Sequence, residues 1–177
     1  AVMYQIFPDR FYAAGTCNCA EKLQPYWVHE NREDVPVWQP NANGEVLNND
    51  FYGGNLNGIR EKLPYLHDLG VEILYLNPIF MAWSNHRYDT YDYKRIDPML
   101  GTEADFSALC AAAHELGMKI VLDGVFSHVG SRSPYFQSAI QDERSPYRSW
   151  FFIHSYPVDA ERQNYDCVGH YKWMPKL

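Results

Sequence analysis

The chain is poor in positive charge. Its 177 residues carry 15 Lys and Arg against 22 Asp and Glu, a net charge of −7. Nucleic-acid binding rewards basic patches, so this balance argues against such a partner. Long apolar runs are missing too. None approaches the roughly 18 consecutive residues of a membrane span, so no membrane partner is expected. The opening "AVMYQIF" has no basic leader region and no cleavage pattern. It reads as a strand already under way, as if sequence precedes it, and the expected location is the cytoplasm. No G-x-G-x-x-G follows the first apolar run and no G-x-x-x-x-G-K-[ST] occurs, which counts against a nucleotide cofactor. Cysteine is scarce: Cys17, Cys19, Cys110 and Cys167 offer no C-x-x-C pair for zinc, and a Cys-x-Cys spacing is too tight for an easy mutual disulfide. Free thiols are expected, in keeping with a reducing compartment. Repeats and low-complexity tracts are absent.

What is present alternates. "VMYQIF" (2–7) reads as a short buried strand stopped by Pro8. Residues 13–50 read as a long polar loop, a length that is usually either functional or poorly ordered. "GGNLNGIREKLPYLHDLG" (53–70) places Ile59, Leu63, Leu66 and Leu69 at helical spacing, with a kink expected near Pro64 and an end at Gly70. "VEILYLNPIF" (71–80) is a second buried strand. "TEADFSALCAAAHELG" (102–117) opens on a capping box, Thr102 with Asp105, and carries a buried stripe of Phe106, Leu109, Cys110 and Ala113. "MKIVLD" (118–123) is the third buried strand. From residue 124 on, sustained periodicity disappears. Apolar strands separated by helices imply an α/β fold with parallel pairing, either a doubly wound sheet or an eight-fold β/α barrel.

In both architectures ligands sit at the C-terminal ends of the strands. Those ends are followed here by Asp9 and Arg10, by "NPIFMAWSNHRYDTYDY" (77–93), and by Asp123 with "GVFSHVG". Aromatics make up 16% of the chain, led by 14 Tyr. Planar rings beside hydrogen-bonding groups suit a sugar, whose C–H faces stack while its hydroxyls are gripped. Plainer roles exist for each residue. Asp123 could cap its strand, His128 could bond backbone, residues 84–93 could form a solvated loop, and the tyrosines could serve core and rim alone. Spacing by itself names no reaction.

The motifs together resemble the α-amylase family, glycoside hydrolase family 13. "YQIFPDRF" (4–11) is similar to its first-strand motif. "FYGGNLNGIREKLPYLHDLGVEILYLNPIF" (51–80) is similar to its first helix and second strand, and "SNHRYDTYDYKRIDPMLGT" (84–102) to the loop that follows. "DGVFSHVG" (123–130) resembles its D-x-x-x-N-H region. "MPKL" (174–177) resembles a short region typical of the neopullulanase, cyclomaltodextrinase and maltogenic amylase branch.

The resemblance implies a partial (β/α)8 TIM barrel: residues 1–123 as its first three β/α units and 124–177 as a loop-rich insertion after strand three. It implies a retaining hydrolase or transglycosylase parent acting on α-1,4, and also α-1,6, bonds of maltooligosaccharides, cyclodextrins or pullulan. His86, Tyr88 and His128 would contact the sugar at the cleavage subsite, with Asp123 and Asp89 ordering the site. The three catalytic acids would lie beyond Leu177, leaving this chain alone inactive. A homodimer of the parent is a common arrangement in the branch. Two departures touch the family's calcium site: Ser127 stands where Asn is usual, and Lys176 where Asp is frequent. Both remove oxygen ligands, so neither metal nor other cofactor is expected. The alternative is a non-catalytic relative that keeps the barrel for binding or partner assembly.

Overall fold

The structure, a computed structural model, describes residues 1–177. Strand β1 (Met3–Ile6) runs into a one-turn helix, α1 (Pro8–Phe11). Two-residue strands β2 (Trp27–Val28) and β3 (Asp50–Phe51) follow, then helices α2 (Leu56–Glu61) and α3 (Leu63–Asp68), and strand β4 (Ile73–Leu76). Next come β5 (Phe80–Met81), β6 (Asp92–Ile96), α4 (Glu103–Glu115) and β7 (Lys119–Leu122). Helix α5 (Pro134–Gln141) and a 3-10 turn at Arg148–Trp150 complete the order.

β1, β4 and β7 form one parallel sheet with β4 in the centre. Register puts Tyr4, Leu74 and Ile120 in one row and Ile6, Leu76 and Leu122 in another. Because side chains alternate along a strand, both rows share a face. That face meets the helices, in a core that includes Ile59, Leu63, Leu66, Leu109 and Ala113. The opposite face holds Met3, Ile73 and Lys119, then Gln5, Tyr75 and Val121. It is largely open, with Met3 54% and Val121 38% exposed. The expectation of buried first and third strands is therefore corrected: only Ile6 of β1 and no residue of β7 is fully buried. Both strands lie at sheet edges, and one sheet face has no covering layer.

The long helix expected over 53–70 is two helices. Asn55 caps α2, its carboxamide oxygen accepting from the Gly58 N–H at 2.7 Å. The chain breaks at Lys62, and Pro64 lies in the first turn of α3, where its missing N–H costs nothing. Leu69, which shares the helical spacing of Ile59, Leu63 and Leu66, is 56% exposed while those three are buried. It lies past the last helical residue, beside Gly70 at φ +85°, so helical spacing no longer governs its direction. α4 begins on the Thr102–Asp105 capping box, each side chain satisfying the other's backbone N–H, an arrangement worth about 1 kcal/mol. Cys110 is half-buried rather than fully so.

Several short elements were not expected. β2 pairs parallel with β3, tying the middle of the 13–50 loop to its end. β5 and β6 form an antiparallel pair inside the stretch read as loop. Helix α5 buries Phe136 and Ala139, which join Val129, Phe151, Ile153 and Tyr165 in a second core. The "MPKL" stretch returns to the end of β7: Val129 N–H donates to Pro175 O at 3.1 Å, and Leu177 N–H to Ser127 O at 3.1 Å.

Candidate functional site

The residues singled out from sequence converge at the C-terminal ends of β4 and β7. Tyr88 and Asp123 come from different loops, yet the Tyr88 hydroxyl donates to Asp123 Oδ2 at 2.6 Å. Burial, and then this bond, raise the Tyr88 pKa, so the phenol keeps its proton. His128 Nε2–H donates to the Tyr88 carbonyl at 2.8 Å. Its Nδ1 is then an acceptor, and takes the Ser127 hydroxyl at 3.0 Å. Burial lowers the His128 pKa, consistent with this neutral ring. Both ring nitrogens thus have protein partners. A ligand bond to His128 Nδ1 would replace the one from exposed Ser127.

His86 is arranged differently. Its Nδ1 accepts the Tyr88 N–H at 3.0 Å, which leaves the proton on Nε2. No protein group takes that second nitrogen, so it can donate to a ligand. Burial lowers the His86 pKa as well. The rings of His86 and Tyr88 lie 5.8 Å apart at 31°. The folded ring resists protonation, while in the unfolded chain it titrates near 6.5. Its contribution to stability is therefore full above pH 6.5 and is lost as pH falls below that value. Thermal unfolding from pH 7 to pH 5 is expected to show a shallower loss of Tm for His86→Gln than for wild type. Equal slopes would remove His86 from this account.

Asp89 organises the turn beneath these rings. It is 4% exposed and accepts the Trp83 and Ser84 N–H groups at 3.1 and 3.2 Å, as well as the Ser84 hydroxyl. Asn85 is pinned from the 13–50 side, its amide donating to Asp50 O at 2.9 Å. The β7 loop approaches so closely that a Cβ on Gly130 would lie 2.1 Å from the Asp89 carbonyl. Gly130 N–H donates to Thr90 O at 2.6 Å across the same contact. Gly130→Ala is expected to cost about 2 kcal/mol in denaturant unfolding, since backbone must move to admit the methyl. An unchanged midpoint would show the two loops free to part.

Between these loops and the segment after α5 lies a cleft of about 800 Å³. His86, Tyr88 and His128 line one wall; Trp173 and Lys172 line another; Glu45 comes from the 13–50 loop. Lys172 Nζ is 2.8 Å from Glu161 and 4.0 Å from Glu45, joining the walls. Sequence reading missed Glu45, Lys172 and Trp173, because Glu45 comes from the long loop and the other two meet the site only through the return of the chain. It also missed the ion network under the rim. Arg87 Nε and Lys22 Nζ each donate at 2.8 Å to the same Asp97 oxygen, all three side chains at most 2% exposed. A basic residue between His86 and Tyr88 was the available signal.

Residues 5–173 match the alpha-amylase catalytic domain family. The chain is 46% identical to an intracellular maltogenic amylase of Bacillus subtilis, over 99% of this chain and 27% of that protein. It is 40% identical to neopullulanase 2 of Thermoactinomyces vulgaris, over 100% of this chain and 28% of that protein. Among solved structures, the type III pullulan hydrolase of Thermococcus kodakarensis superposes with a TM-score of 0.84 at 33% identity, covering 99% of this chain and 32% of that one. The chain thus spans little more than a quarter of the length of those two amylase relatives. The strand-end motifs, the parallel sheet and these matches agree, and the chain belongs to the alpha-amylase catalytic domain family.

Proposed function

We propose that this chain is the substrate-gripping first part of a retaining α-glucan hydrolase or transglycosylase. The observation that carries this is the convergence of His86, Tyr88 and His128 on one cleft, in a chain of this family. In this reading the open sheet face is the interior of a (β/α)8 barrel, closed by strands outside residues 1–123, and residues 124–177 are the insertion after strand three. Tyr88 offers a ring face to the glucosyl unit, His86 donates from Nε2, and Asp123 and Asp89 hold the two loops. The carboxylate nucleophile and the general acid belong to the rest of the domain. Such a pair stands about 5 to 5.5 Å apart in retaining enzymes. Relatives whose names carry maltogenic amylase, neopullulanase and cyclomaltodextrinase support an α-glucan as the target, and α-1,4 and α-1,6 bonds are the linkages we propose. An intracellular relative and four free thiols support a reducing compartment.

The test is to incubate the full-length protein with pullulan, cyclodextrin and maltooligosaccharides, and follow the first-formed anomer by NMR. Release of α-anomeric products is expected. No cleavage, with or without sugar binding, would overturn the reading.

Calcium does not fit between barrel and insertion. Ser127 and Lys176 stand at the positions in question, and Lys176 bridges as an antiparallel pair with His128, the residue after Ser127. The Ser127 hydroxyl is turned to His128, and Lys176 brings an ammonium where a hard cation needs six to eight oxygens, roughly. EDTA is expected to leave both Tm and activity of the full-length protein unchanged, and a drop restored by Ca²⁺ would refute this.

A further inference from the structure

We infer that Arg87 is a positioning residue: it locks the turn that aims His86 and Tyr88 into the cleft. Three observations converge on it. Its backbone is left-handed, at φ +61°. That region suits glycine, and a non-glycine residue held there is strained and needs its surroundings to keep it in place. Its side chain is also among the most deeply buried large ones in the chain, 1% exposed. Burying a guanidinium is costly unless it is paired. Finally, its two sequence neighbours are the two residues of this loop that line the cleft.

A residue with an unfavourable backbone and an unfavourable burial persists where its contacts determine something. Those contacts all tighten one turn. Arg87 N–H donates to Ser84 Oγ at 3.1 Å, and the Arg87 carbonyl accepts from Thr90 Oγ1 at 2.8 Å. From the side chain, Nη1 donates to Asn85 O at 2.8 Å and Nε to Asp97 Oδ2 at 2.8 Å. Asp97 is itself fixed, its other oxygen accepting the Met99 N–H at 3.0 Å. The guanidinium therefore ties the turn to the strand β6 end, over the Phe51 ring at 5.7 Å. With the turn held so, the Tyr88 N–H meets His86 Nδ1, which sets the tautomer that leaves His86 Nε2–H for the ligand.

The variants separate the two parts of this device. Arg87→Gly accepts the left-handed backbone and deletes the side chain. Arg87→Ala deletes the side chain and keeps the strain. In both, Lys22 and Asp97 remain as a one-to-one buried pair, so folding should survive. Arg87→Lys keeps a cation for Asp97 but cannot also reach Asn85 O with a fork. Two readouts are taken on the full-length protein. The first is amide exchange at Arg87 and Tyr88, expected to be at least about tenfold faster in Arg87→Gly and Arg87→Ala.

The second readout is kcat and KM on the best α-glucan, and it rests on the proposed function. Arg87→Gly and Arg87→Ala should lose about tenfold or more, mainly in kcat, since misplacement by an ångström or so weakens the transition state more than binding. Arg87→Lys should recover most of the loss. Wild-type exchange and wild-type kcat in Arg87→Gly would overturn the inference. A fall in Tm with kcat unchanged would also overturn it, leaving a structural role only. If wild type cleaves no α-glucan, the proposed function fails and the exchange result alone decides for or against Arg87.

Discussion

An Asp97→Asn protein is expected to lose about 3–5 kcal/mol of stability, the largest effect of any single substitution considered for this chain. The reason is charge balance in a dry place. Two cations, Lys22 and Arg87, donate to one Asp97 oxygen, and all three side chains are at most 2% exposed. The two cations hold the Asp97 pKa below its ordinary value even though burial pushes it upward. Removing the carboxylate leaves an ammonium and a guanidinium facing each other without water. Lys22→Met should behave in the opposite way. Burial first, and then repulsion from Arg87, push the Lys22 pKa down to about 8, in spite of the attraction of Asp97. The fold therefore disfavours the charged form, and replacing it leaves Arg87 and Asp97 evenly paired. Its stability at pH 7 should lie within about 1 kcal/mol of wild type, or above it.

The pH dependence gives an independent reading of the same pair. The unfolded Lys22 holds its proton to about 10.5 and the folded one to about 8. Between those values the unfolded chain binds more protons, so wild-type stability gains from this group as pH rises from 8 to 10.5. Lys22→Met should lack that gain. Urea unfolding of the full-length protein at pH 7 and pH 10 checks both statements. A mild Asp97→Asn together with a severe Lys22→Met would reverse the account of which charge is in excess.

This network shows where sequence reading stops. The Thr102 capping box was legible because its partners lie three residues apart and the chemistry is local. The helical spacing of Ile59, Leu63 and Leu66 was legible for the same reason. Lys22 and Asp97 are 75 residues apart, and nothing local marks either as buried. β1 and β7 were misread because an apolar run reports an environment, and these strands have it on one face only. The β5–β6 pair was missed because β5 is two residues long and paired with an irregular register. Helix α5 carried a signal that went unused: Ser133-Pro134 opens it, with Phe136 and Ala139 on its buried face. At the site, Tyr88, His86, Asp89, Asp123 and His128 were named from motif resemblance. Only coordinates could show that His128 spends its Nε2 proton on the Tyr88 carbonyl. Trp173 reaches the cleft through a chain reversal that no periodicity announces.

Tyr88→Ala in the full-length protein is expected to lower kcat/KM on maltooligosaccharides by about thirtyfold or more, ~2 kcal/mol of transition-state stabilisation. In the proposed function two interactions disappear with the side chain, the ring face offered to the sugar and the 2.6 Å bond to Asp123. Tyr88→Phe separates them. It keeps the ring and leaves Asp123 to water or other partners, and Asp123 is only partly buried, so that loss is modest. Tyr88→Phe should therefore fall by no more than about fivefold, far less than Tyr88→Ala. If the two variants are equally impaired, the hydroxyl and its hold on Asp123 matter and the ring does not. If neither is impaired, Tyr88 does not touch the sugar. The backbone offers an internal control for this comparison. Tyr88 anchors His128 through its carbonyl and His86 through its N–H, and neither group changes with the side chain. Amide exchange at residue 88 should thus match wild type in both variants, which assigns the kinetic loss to the ring rather than to collapse of the turn.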